Sequence, residues 1–174
     1  MDEKYAIRRE KYPDGTLRAE LSYTYDGRQN GVTKTFYPTG TLYAEMTYKD
    51  DKLDGPTRYF HKNGNLKAEF FYAANIREGQ FIAYYEDGAV QTEAMYRKGL
   101  LEGPYKVCYE SGEVREDAVF KNNLREGTCT TYYENGVIEV QAEFKQGRVT
   151  AYKEFDALGK PKPTMNFQDA IKVS

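Results

Sequence analysis

Glycine recurs along this chain at a nearly constant interval, and that interval limits the fold more than any other feature. Gly31, Gly55, Gly79, Gly103 and Gly127 are each 24 residues apart. Gly15, Gly40, Gly64, Gly88, Gly112, Gly136 and Gly159 form a second series with spacings of 25, 24, 24, 24, 24 and 23. The first series stands nine residues ahead of the second. A period of this size marks an array in which each unit is one supersecondary element that packs on its neighbours.

The residues after the second series say what the element is. Gly15-Thr16-Leu17-Arg18-Ala19-Glu20-Leu21-Ser22-Tyr23 aligns with Gly40-Thr41-Leu42-Tyr43-Ala44-Glu45-Met46-Thr47-Tyr48 and with Gly64-Asn65-Leu66-Lys67-Ala68-Glu69-Phe70-Phe71-Tyr72. Val90, Glu93, Ala94 and Tyr96 follow Gly88; Val114, Asp117, Ala118 and Phe120 follow Gly112; Ile138, Gln141, Ala142 and Phe144 follow Gly136. Six copies are therefore in register. Within a copy the pattern has period two, the signature of a strand. It puts Leu42, Ala44, Met46 and Tyr48 on one face and Thr41, Tyr43, Glu45 and Thr47 on the other. Thr92 and Glu116 depart from the small apolar residue of the other copies.

A second strand precedes each turn, as in Thr33-Lys34-Thr35-Phe36-Tyr37 and Phe81-Ile82-Ala83-Tyr84-Tyr85, whose residue types suit a pleated surface. Between the two strands stand three residues ending in Gly, such as Pro13-Asp14-Gly15, Glu86-Asp87-Gly88 and Glu134-Asn135-Gly136. That pattern predicts a type I turn closed by a left-handed residue. Each repeat is thus a β-hairpin, and loops such as Lys49 to Gly55 and Lys121 to Gly127 join successive hairpins. The expected fold is all-β: one elongated, single-layer, twisted antiparallel sheet. Residues 1–160 form an array of about six hairpins. Residues 161–174 are a tail or capping segment, in which Phe167, Ala170 and Ile171 fall at helical spacing.

Composition closes other routes. The 174 residues carry 17 Tyr, 9 Phe and no Trp, with a formal net charge of -2. No basic surplus points to nucleic acid. No apolar run approaches the roughly 20 residues of a membrane helix. The N-terminus lacks an apolar signal-like stretch, which makes the cytoplasm the expected compartment. Cys108 and Cys129 fall on opposite faces of neighbouring hairpins, which disfavours a disulfide. A single histidine, His61, rules out a His-based triad or a His-rich zinc site, and no phosphate loop is present. No enzyme, metal or cofactor is expected, and the oligomeric state is open.

Units of the form Tyr-x-x-Gly-x-Leu-x-x-Glu-x-x-Tyr run from Tyr12 to Tyr23 and from Tyr37 to Tyr48, with Val90 in the Leu place from Tyr85 to Tyr96. Tyr109 to Phe120 and Tyr133 to Phe144 repeat the unit with Asp117 and Gln141 in place of Glu. Over roughly residues 5 to 160 these residues resemble the MORN-repeat family, and more closely its bacterial variant. That resemblance implies the hairpin array. Bacterial proteins of this kind are commonly labelled YwqK-type antitoxins, which implies a protein partner and neutralisation of a toxin. A carbohydrate or cell-wall ligand and a membrane-associated scaffold are the alternatives.

Two columns are the candidate partner-binding residues. Glu45, Glu69, Glu93 and Asp117, preceded by Glu20, form an acidic ladder, read either as a basic partner's docking site or as a solvated stripe paired with Lys and Arg. Tyr37, His61, Tyr85, Tyr109 and Tyr133 stand just before the turns, as an exposed aromatic ladder or as packing between hairpins. His61 fills a Tyr position and reads as a structural substitute. The loop residues Lys52 to Asp54, Arg77, Glu78, Arg125 and Glu126 are further contact candidates.

Overall fold

The computed structural model describes residues 5–163. Among them there are β-strands and no helix, and no helix long and apolar enough to cross a membrane. The helical spacing of Phe167, Ala170 and Ile171 falls on residues 164–174, outside the described residues. The chain divides into two compact units, Met1–Leu100 and Leu101–Ser174.

The first unit is an open antiparallel sheet of β1 (Ala6–Lys11), β2 (Leu17–Tyr23), β3 (Gly31–Phe36), β4 (Leu42–Lys49), β5 (Lys52–Phe60), β6 (Leu66–Ala73), β7 (Ile76–Arg77), β8 (Gly79–Tyr84) and β9 (Val90–Arg97). Sequence neighbours pair throughout, and β7 lies beside β6 ahead of β8. The second unit repeats the plan. Its strands are β10 (Leu100–Cys108), whose first residue Leu100 still belongs to the first unit, β11 (Val114–Lys121), β12 (Leu124–Arg125), β13 (Gly127–Tyr132), β14 (Ile138–Lys145) and β15 (Arg148–Glu154). After β15 the chain turns again, and Phe155 bridges Pro161.

Two kinds of turn alternate. In the first, Gly40 donates its N–H to the Tyr37 carbonyl at 2.9 Å, and Tyr37 donates to Thr41 at 2.8 Å, with Gly40 at φ 84°. This is the expected three-residue turn. Where Asp or Asn precedes the glycine, its side chain accepts the N–H two residues on, as Asp87 does from Ala89 at 2.9 Å. At Asp14 the same bond, from the Thr16 N–H, holds the carboxyl below its ordinary pKa.

The connections between hairpins differ from expectation. They are not loops but two-residue turns with positive φ at both positions: Asp50-Asp51, Ala74-Asn75, Lys98-Gly99, Asn122-Asn123 and Gln146-Gly147. Such turns match the twist of paired strands. Only the first connection is longer. There Gly27 donates to the Thr24 carbonyl, and Thr24 donates to that of Arg28, which is a three-residue turn. The extra residue accounts for the 25-residue step from Gly15 to Gly40.

Face assignment needs a second correction. Thr35 pairs with Ala44 but Phe36 pairs with Leu42, so Tyr43 is an extra residue, a β-bulge. Thr35 and Phe36 point to opposite faces, and so therefore do Ala44 and Leu42. The expected face of Leu42, Ala44, Met46 and Tyr48 thus loses Leu42. Tyr43 joins it instead, with its ring 5.1 Å from Tyr37 and 5.6 Å from Tyr59. The same bulge recurs in every hairpin, between Glu10 and Lys11, Tyr59 and Phe60, Ala83 and Tyr84, Val107 and Cys108, and Thr131 and Tyr132.

The result is a ring face and a charge face. Most of the buried residues lie on the ring face, and they are small: Ala19, Ala44, Ala68, Ala83, Ala94, Thr33 and Thr57 in the first unit, Ala118, Cys129 and Ala142 in the second. Large rings stand among them. Tyr59 pairs with Ala44 and Ala68, and Thr57 with Met46 and Phe70. The side chains that cover the core are therefore aromatic.

Glycine at position 55 is fixed twice over. Its φ is 117°, and a Cβ there would lie 3.2 Å from the Thr47 side chain, whereas one on Gly40 would meet nothing within 4 Å. Gly40→Ala is expected to cost the backbone strain alone, about 1–2 kcal/mol, and Gly55→Ala more, as measured by urea unfolding. Ala74 holds φ 48° without an Asn or Asp side chain to favour it. Ala74→Gly is accordingly expected to raise the unfolding free energy by about 0.5–1 kcal/mol.

Candidate protein-interaction site

The Tyr column is a set of staples. Tyr12 donates its hydroxyl to the Phe36 carbonyl at 2.7 Å, and Tyr37 donates to Phe60 at 3.0 Å. In the second unit Tyr109 donates to Tyr132 at 2.6 Å and Tyr133 to Phe155 at 2.9 Å. Each bond reaches from the turn of one hairpin to the far end of the next hairpin's first strand. His61 makes the same bond, with Nε2 3.0 Å from the Tyr84 carbonyl. Because a carbonyl only accepts, Nε2 carries the proton. The imidazole thus replaces a phenol in kind. Tyr12, absent from the sequence-based column, belongs to it.

The opposite margin is stapled by acids. Asp54 accepts the N–H of Ala74, Glu78 that of Lys98, Glu102 that of Asn122, and Glu126 that of Gln146. Each acid satisfies the first N–H of the next tight turn. The second N–H donates to a backbone carbonyl, as Asn75 does to Leu53 at 2.8 Å and Asn123 to Leu101 at 3.0 Å. Asp54, Glu78 and Glu126 were candidate contacts by sequence, and the fold engages them internally.

The register turns the acidic ladder into a mixed row. Across the first unit the cross-strand neighbours run Arg9, Glu20, Lys34, Glu45, Arg58, Glu69, Ile82 and Glu93. Arg9 meets Glu20 at 2.8 Å, Lys34 meets Glu45 at 3.2 Å, and Arg58 meets Glu69 at 2.6 Å. Each such part-exposed pair contributes about 0–1 kcal/mol. In the second unit Asp117 lies between Lys106 and Thr130. The paired-stripe reading therefore describes Glu20, Glu45 and Glu69, whereas Glu93 faces Ile82 on β8.

The ring face holds features that sequence alone did not expose. In the first unit Tyr37, Tyr43, Tyr59, Phe70, Phe81 and Tyr96 form a continuous run, with successive centroids 4.6 to 6.3 Å apart. Arg77 lies over Phe70 at 4.6 Å and over Tyr96 at 5.4 Å, and its Nε donates to the Tyr72 hydroxyl at 3.2 Å. Burial raises the Tyr48 and Tyr59 phenols above their ordinary pKa, so they remain protonated donors at neutral pH. Two periods on, Arg125 repeats Arg77 over Phe120 and Phe144, at 5.5 and 5.7 Å. Arg125 also binds Glu116. That ion pair explains how Glu116 can replace a small apolar residue on this face. Burial and the Glu116 charge push the Cys129 thiol up. Both cysteines are free and buried, and the register sets Cys129 on the ring face and Cys108 on the charge face.

The charge face of the first unit carries an exposed apolar strip. Phe71, Ile76 and Met95 are 40%, 50% and 41% exposed, and Leu100, in the place 24 residues after Ile76, is 37% exposed. A Cβ on Gly99 would lie 3.6 Å from Ile76 Cγ2, which places Ile76 against the Lys98-Gly99 turn. β8 runs between the strands of Phe71 and Met95 and sets the exposed Gln80 opposite Met95. Exposed large apolar side chains on one open face are the usual material of a protein interface.

Comparison with known families gives four matches to the MORN repeat variant, at residues 29–50, 53–74, 77–98 and 125–146. Each match begins two residues after one connecting turn and stops at the first residue of the next. The copy at 101–122 falls outside the match, yet it forms the same hairpin from β10 and β11. A comparison with curated proteins gives no significant match.

If the phenol column holds hairpins together, Tyr37→Phe should lose one hydrogen bond, about 0.5–1.5 kcal/mol of unfolding free energy. The far-ultraviolet circular dichroism spectrum of the folded protein should not change.

Proposed function

The chain belongs to the MORN repeat variant family, and from that premise we propose that it is a non-catalytic antitoxin or immunity protein that binds and neutralises a protein toxin in the cytoplasm. Repeat proteins of this family mediate interactions, so a protein partner is the natural class of ligand. The single observation that carries the reading is the apolar strip of Phe71, Ile76, Met95 and Leu100 on an otherwise salt-bridged face. An apolar centre with a charged rim is how a recognition surface is commonly built.

Glu69 and Glu93 stand two residues before Phe71 and Met95 on the same face. Glu69 is paired with Arg58, so the strip has a largely neutralised polar border. Met95 and Phe71 would enter the partner's apolar core, and truncation of such central anchors commonly costs 2 kcal/mol or more, roughly thirtyfold in affinity.

The test is growth of a bacterial host that expresses the product of the adjacent gene, with and without this protein. The protein is expected to restore growth and to co-purify with that product. Phe71→Asp with Met95→Asp should abolish both effects while the melting temperature stays within a few degrees of the parent. A host that is not rescued, with no complex on co-purification, would refute the antitoxin role. Rescue by the double variant would refute the strip as its surface.

A further inference from the structure

The ring face of the first unit has a charge of predominantly one sign. Register places Arg8 and Glu10 on it, opposite Leu21 and Ala19. Arg18 joins them through its ion pair with Glu10. Lys67 occupies the bulge position held by Tyr43 in the preceding hairpin, and it is exposed. Arg77 lies among the rings. Against these four cations the strands of this face carry one acid, Glu10, which Arg8 and Arg18 share. The acids at its margin, Asp54 and Glu78, are engaged with the N–H groups of Ala74 and Lys98. The phenols add neutral donors in the same area.

We propose that this face binds an extended acidic segment of another protein, whose carboxylates meet Lys67 and Arg77 and whose backbone lies over Tyr43 and Tyr59. Charge complementarity is the reason for that occupant: cations and phenol donors line the face where acceptors would dock. A single-stranded nucleic acid is also anionic, but it binds by stacking its bases on open ring faces. Here Tyr37 on Tyr43, Tyr43 on Tyr59, and Tyr59 on Phe70 meet edge to face at 69°, 67° and 87°, and Arg77 covers Phe70. The ring faces are turned on one another, and what remains outward favours hydrogen bonding over stacking. This site lies on the face opposite the apolar strip and stands or falls separately from the antitoxin reading.

Fluorescence anisotropy of a labelled Asp/Glu-rich dodecapeptide, titrated with the intact protein at about 50 mM salt to limit screening, tests the inference. The peptide is expected to bind, and a Lys-rich dodecapeptide is not. Lys67→Glu should weaken binding by about tenfold or more, equivalent to ~1.4 kcal/mol, and Lys67→Gln by less. Lys49→Glu makes the same charge change at an exposed position on the other face and should leave binding within about twofold. No binding of the acidic peptide would overturn the proposal, as would equal losses from Lys67→Glu and Lys49→Glu. Tighter binding of oligo-dT with the same dependence on Lys67 would reassign the face to nucleic acid and overturn it as well.

Discussion

A sheet with no second layer to pack against can bury a residue only beneath its own neighbours. In both units that constraint decides what stands where. Ala44 and Thr57 are almost fully buried although nothing but their own sheet surrounds them. They are small enough to lie in the pleat while Tyr43, Tyr59 and Phe70 cover them. A Leu or Ile at those positions would stand as high as the rings and leave apolar surface in water. The covering has to be aromatic because one ring buries 150–250 Å² and pairs with the next edge to face. The high Tyr content and the scarcity of buried aliphatic side chains are thus one fact, since this architecture has little interior to fill.

A hairpin alone is marginal in water, so the array depends on what joins one hairpin to the next. Both margins answer this with hydrogen bonds of nearly constant sequence separation. At one margin a phenol, or His61 in its place, reaches a carbonyl about one repeat later. At the other an Asp or Glu takes the first N–H of the following tight turn. The recurrent acid-glycine pair follows from the second rule. Glu78-Gly79 and Glu126-Gly127 place a cap and then a left-handed residue where the strand must bulge back into register. Residues that look like exposed contact candidates in a linear reading are therefore part of the frame.

Once the frame is accounted for, the two faces offer different chemistry. The charge face is largely self-neutralised along its central row, and its outstanding feature is apolar. The ring face is aromatic, and in the first unit its strands carry an excess of cations. A repeat protein that meets partners on a broad surface can use the two independently, because substitutions on opposite faces of a pleated sheet share no side-chain neighbours and are expected to act additively.

The glycine period, the alternation and the turn residues were enough to read an all-β hairpin array, to place the three-residue turns, and to assign His61 to a Tyr position. Those features are local: φ sign, side-chain period and turn chemistry act within a few residues. Tyr43, Leu42 and the Glu ladder were misplaced or incomplete because their surroundings are set by a bulge and by strand register, which couple residues on different strands. The pairing of Lys34 with Glu45 and Arg58 with Glu69 requires knowing which residues stand opposite. So does the gathering of Phe71, Ile76 and Met95, or of Arg77 with Phe70 and Tyr96. Sequence by itself determined the repeat and the hairpin, since these follow from backbone preferences repeated along the chain. Only the tertiary structure decided which side chains share a face, because a one-residue bulge reverses the alternation and no local preference records that reversal.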